Sequence, residues 1–162
     1  MGVGVEHGDL FKTDRCVLDS IERATRYYMG YSLTTGETGK FWKLLRIGEI
    51  PEGFVKGDSI GNSLKLILAD LKEHGIEPQE WVVTRERAEM LKRSGFVIGR
   101  KKLRVVENCV PDKFPAMIFT TLGTGPHVGF WSDSESWEQN KGEQGDVLMV
   151  VSLPEGSVRR GM

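Results

Sequence analysis

The stretch EHGIEPQEWVVTRERAEMLKRSG, residues 73–95, decides how the chain folds. It reads as the end of one helix, a turn from Gly75 to Pro78, a brief apolar strand at Trp81-Val82-Val83, and a second helix over 85–94. Gly75 suits a left-handed helix end, Thr84 is placed to cap the next helix, and Gly95 closes it. A strand this short either presents a ligand at its tip or forms the spine of a core. No glycine-rich phosphate turn follows Val83. The unit therefore reads as architectural, with Trp81, Val82 and Val83 buried between flanking helices.

Upstream, Ile60, Leu64, Ile67, Leu68 and Leu71 form one broad apolar face, which predicts a helix over 60–74 with Ser59 as its N-cap. Leu10, Val17, Ile21, Ala24 and Tyr28 fall on one stripe of an earlier amphipathic helix, 10–28. Residues 28–33 and 41–47 are rich in aromatic and apolar residues and flank the turn-forming tract TTGETG. That predicts an extended β-hairpin over 27–47, which is marginal alone and needs packing from elsewhere. Residues 1–9 are glycine-rich and aperiodic, an N-terminal arm, and 48–61 reads as a linker. Downstream, strands are expected at 103–106, 116–121 and 146–153, with a further strand start at 96–98. Residues 122–145 read as a long polar loop carrying Trp131 and Trp137. The organisation is then arm, helix and hairpin in 1–58 and an α+β core domain in 59–162. The core is a small central mixed sheet flanked by helices. Only one strand lies between helices, so a doubly wound nucleotide-binding sheet does not fit.

The 162 residues carry a net charge of −1, with a pI of about 6.3, so no global field recruits nucleic acid or an anionic membrane. No apolar run reaches the length of a membrane span or a signal peptide. Two cysteines, Cys16 and Cys109, are too few for a disulfide framework and read as reduced thiols. Asn and Gln are scarce beside abundant Lys, Arg, Glu and Asp, the balance of a heat-adapted source.

Each chemical motif has a plainer explanation. TTGETGK lacks the glycine spacing of a phosphate loop, and Phe41 stands where a Mg²⁺-binding hydroxyl is needed. His7, His74 and His127 are scattered, so no metal or cofactor is expected. Cys109 follows a strand with no histidine placed beside it, and a buried inert thiol is the better reading. Asp133, Glu135 and Glu138 sit in the polar loop and read as solvated carboxylates. Arg100, Lys101, Lys102 and Arg104 form the densest basic run, a candidate nucleic-acid contact or a set of intersubunit ion pairs. No catalytic residue emerges. The hairpin, the arm and the loop tryptophans are features of a chain that contacts copies of itself.

Residues 60–122 resemble the axial domain of tailed-phage major capsid proteins and encapsulin shell proteins. The likeness rests on the helix ending in Gly75-x-x-Pro78, the strand WVVT, the second helix, a strand from Val105 and Val106 to Val110-Pro111, and the strand Ala116-Met117-Ile118-Phe119. The resemblance implies a structural protein, without catalysis or cofactor, that assembles into a closed icosahedral-type shell around nucleic acid or cargo protein, in a virion or the cytoplasm. The helix at 60–74 is shorter than the spine helix of such proteins, so the chain would be a reduced version. Self-assembly contacts are then expected at Tyr31, Phe41 and Trp42 of the hairpin and at Trp131 and Trp137. Two other classes remain: a small ligand-binding or hydrolytic domain with its site near Cys109 and 122–145, and a nucleic-acid-binding accessory protein.

Overall fold

The computed structural model describes residues 15–32, 34, 36–121 and 126–156. The arm at 1–9 and the start of the first helix lie outside them. Helix α1 spans Arg15–Met29 and α2 Gly36–Arg46; α3, Ser59–Glu73, precedes strand β1, Glu80–Val83. Helix α4, Arg85–Arg93, leads to β2, Leu103–Val105, and β3, Ala116–Thr120. Strand β4, His127–Trp131, is followed by the short α5, Ser134–Asn140, a 3₁₀ turn at Lys141–Glu143, and β5, Val147–Ser152.

The sheet order is β2-β1-β5-β3-β4. β1 and β2 are parallel and joined through α4, whereas β5 pairs antiparallel with both β1 and β3, and β3 antiparallel with β4. The sheet is mixed and the coarse α+β class holds. β5, the last strand among the described residues, occupies the centre, which is why Met149 to Ser152 are all buried.

Strand alternation sends side chains to two faces. One face, with Trp81, Val83, Met117, Phe119, Phe130, Met149 and Val151, joins Val17, Ile21 and Ala24 of α1 and Leu64, Ile67 and Leu71 of α3 in the main core. The other, with Val82, Ala116, Ile118 and Val150, packs beneath Cys109, Trp131 and Trp137. Trp81, Val82 and Val83 are thus buried as expected, under long helices on one side and under Cys109, Trp131 and Trp137 on the other.

The hairpin expected over 27–47 is replaced by the end of α1 and by α2. Thr38 and Leu45 are buried and Phe41 packs on the core, a spacing of helical period that lets α2 lie on α3. Glu37 in its first turn and Lys43 and Arg46 in its last complement the helix dipole. Packing against α3 overrides the strand preference of Phe41 and Trp42. The tract at 122–145 is also not one loop: it contains β4, α5 and the 3₁₀ turn, with 122–125 outside the described residues. Residues 96–98 form no strand: Phe96 N bonds back to Leu91 O at the end of α4, and a turn at 99–102 then leads into β2.

Helix ends follow local chemistry. Asp58, not Ser59, caps α3, accepting from Gly61 N at 3.0 Å and from Ser94 Oγ at 2.6 Å. It thereby ties the start of α3 to the end of α4. A Cβ at Gly61 would collide with that carboxylate. Thr84 caps α4 by accepting from Arg87 N, as its position predicts.

Candidate functional site

Both α3 and α4 end in the same six-residue pattern, Leu-Lys-x-x-Gly-apolar, at 71–76 and 91–96. In each the glycine is left-handed, at φ +73° for Gly75 and +94° for Gly95. Its N–H donates back to the lysine carbonyl, and the next N–H donates to the leucine carbonyl: Ile76 N to Leu71 O at 2.8 Å, Phe96 N to Leu91 O at 3.0 Å. These paired bonds form a Schellman closure, which turns the following apolar residue back onto its helix. Ile76 and Phe96 are thereby aimed into one groove of about 900 Å³, with Leu68, Trp81 and Ile98 also on its walls. The rings of Trp81 and Phe96 lie 6.2 Å apart.

Val97 lies on the groove at 98% exposure, an apolar side chain left in water. Lys72, Arg100, Lys101 and Lys102 face Glu77 as the single lining carboxylate. Lys102 reaches Glu77 at 3.5 Å in an exposed pair of little energetic weight. Lys65 Nζ sits 5.7 Å above the Phe96 ring. The groove adjoins β2, whose outer edge has no partner among the described residues, and Val105 on that strand is half exposed.

The basic run expected at 100–104 is divided. Arg100, Lys101 and Lys102 rim the groove, whereas Arg104 is opposite Val82 in the register and so belongs to the other face. There it bonds Glu80 and Asp112, each at 3.1 Å, and the Glu80 bond pushes the guanidinium pKa up. Lys113 joins Glu80 at 3.4 Å. Arg104 is spent within its own chain.

The five expected self-assembly residues also separate. Tyr31 is exposed, and Phe41 and Trp42 are half-buried on α2, with Phe41 5.4 Å from Phe54 and the Arg46 guanidinium 5.1 Å above Trp42. Trp131 and Trp137 are buried and meet edge to face at 5.3 Å. They anchor the core of their own chain. Gly129, on the same side of β4, leaves the space the Trp131 indole fills, since a Cβ there would stand 3.0 Å from Nε1.

Catalytic candidates gain no support from their surroundings. Cys109 is wedged 3.5 Å from Val82 O, and burial pushes its pKa up, away from a reactive thiolate; nearby Arg87 and Arg104 oppose the shift. Asp133 caps α5 through Ser136 N at 2.7 Å, and Glu138 pairs with Lys141 at 2.7 Å. His74 Nδ1 lies 3.1 Å from the buried Asp70 carboxylate, one turn back on α3. Burial pushes the His127 pKa down. Among the described residues no three His, Cys, Asp or Glu side chains converge to hold a metal, and no helix is long and apolar enough to cross a membrane. His7 lies outside them.

No protein-family model, curated protein or solved structure matches the chain.

Proposed function

We propose that the chain is a structural subunit that assembles with copies of itself into a closed shell. The observation that carries this reading is the groove beside β2. It combines an apolar floor of Leu68, Ile76 and Phe96, the exposed Val97 and a cationic rim, and it adjoins a strand with the exposed Val105 and an edge that has no partner among the described residues. Such a surface is unfinished, since both the strand edge and the apolar patch gain stability by being covered. The resemblance at 60–122 points the same way, because shells are built from chains with complementary, self-covering surfaces. The expected interior cargo is nucleic acid or protein.

Light scattering on a sizing column, followed by negative-stain imaging, tests the reading. Closed particles of megadalton mass are expected. A monodisperse monomer of 18.2 kDa at all concentrations overturns it.

A further inference from the structure

We infer that the groove receives the 47–55 loop of a second copy of the chain, an inference that rests on the self-assembly reading above. This loop, IGEIPEGFV, leaves Ile47 and Val55 in water at 65% and 46% exposure. Between them stand the exposed carboxylates Glu49 and Glu52, with no cation inside the loop. The groove offers the converse: exposed Val97 and the half-buried Phe96, beside Arg100 and Lys101, which pair with no carboxylate among the described residues. Apolar groups match apolar groups, and carboxylates match cations.

The loop is held in one shape before it binds. Asn62 on α3 accepts from Val55 N at 3.0 Å and donates to Val55 O at 2.7 Å, while the Phe54 ring packs on Phe41. Preorganisation of this kind lowers the ordering cost of association. In sequence the loop is flanked by Arg46, which lies over Trp42, and by Lys56, while Lys65 shares a pocket with Gly53 and Phe54.

Within one chain the loop does not enter the groove. Leu66, Ala69 and Glu73 of α3 face the pocket shared with α2 and Phe54, whereas Leu68 and Lys72 face the groove. The loop instead lines the neighbouring pocket through Gly53 and Phe54, with Lys65 standing between pocket and groove. Loop and groove are different patches, so copy can follow copy in a heterologous contact, the kind that closes into rings and shells when its rotation closes. Linkage beyond the dimer distinguishes it from reciprocal pairing about a twofold.

Ile47 and Val97 are exposed, and both natural cysteines are buried, so a cysteine pair reads the contact without disturbing the fold. Under mild oxidation the I47C/V97C double variant should form a ladder of disulfide-linked multimers, and neither single variant should. Dimers from V97C alone mean that the groove pairs with itself, and overturn the inference. So does an unlinked double variant that still forms particles, in which case the shell reading stands. Monomers of the natural chain at every concentration remove both.

Charge reversal supplies a second readout. Arg100→Glu with Lys101→Glu should raise the concentration for half-assembly by about tenfold or more, and adding Glu49→Lys with Glu52→Lys should restore it. Reversal without effect, or without rescue, overturns the pairing. Loss of co-purifying nucleic acid with assembly unchanged assigns the groove to nucleic acid instead.

Discussion

The two faces of the sheet are covered in different ways. The main face lies under α1 and α3, each 15 residues long, whose apolar stripes interdigitate with Trp81, Val83, Phe119 and Met149. The opposite face is covered by the 106–115 segment and the seven-residue α5, which contributes one buried residue, Trp137. A broad helical cover distributes its burial over many side chains. A short cover concentrates it in one, so the two faces should differ less in how much a large truncation costs than in what it opens.

Trp137→Ala breaks the comparison most directly. Removing a fully buried aromatic side chain costs about 3–5 kcal/mol, and α5 has no other apolar residue to hold it on Trp131. Denaturant unfolding should show that loss. The native variant should also label at Cys109, which Trp137 and Trp131 help to cover. An inert Cys109 in a folded variant would show that the 106–115 segment alone covers this face. Leu64→Ala on the main face should cost about 2–5 kcal/mol and leave Cys109 unreactive, because α1 and α3 still span the sheet around the cavity.

The same difference governs what could be read from the sequence. Helices α1 and α3 were legible because several stripe positions repeat over four turns, and the endings at Gly75, Thr84 and Gly95 carry their own local chemistry. Helix α5 was not, since one tryptophan in seven residues has no periodicity, and its Ser, Asp and Glu neighbours resemble a loop. Helix α2 was hidden by glycines at 36 and 39 and by adjacent aromatics, although the 38–41–45 spacing and the end charges favoured a helix. The groove required tertiary information. Its sequence mark is the repeated Leu-Lys-x-x-Gly-apolar ending, but only the packing of both helices on β1 brings Ile76 and Phe96 together.

Asp58 sharpens the comparison at the junction of α3 and α4. Its carboxylate serves Gly61 N and Ser94 Oγ at once, so it holds the helical layer beside the groove. Asp58→Ala should cost about 1–2 kcal/mol through the lost cap. Asp58→Asn, which can still accept from Gly61 N, should recover most of it. Equal losses in the two variants would mean that the bond from Ser94, or the charge itself, outweighs the cap.

The smallest effect expected is the pH dependence of the thinly covered face. Burial raises the Cys109 pKa in the folded protein above its ordinary value, so the unfolded chain releases its proton first as pH rises. The contribution is therefore complete below about pH 8.5, the unfolded value, and is lost as pH climbs towards the raised folded value. Stability of the natural chain should fall along this alkaline flank, and Cys109→Ala should flatten it. On the acid side the sign reverses. Burial lowers the His127 pKa, so its contribution is complete above about pH 6.5 and declines as pH falls towards the depressed folded value. His127→Gln should flatten that flank and leave the alkaline one unchanged. If Cys109→Ala leaves the alkaline slope intact, proton release there comes from another group. The thiol would then be better hydrated than its place beneath Trp131 and Trp137 implies, and the short cover correspondingly looser.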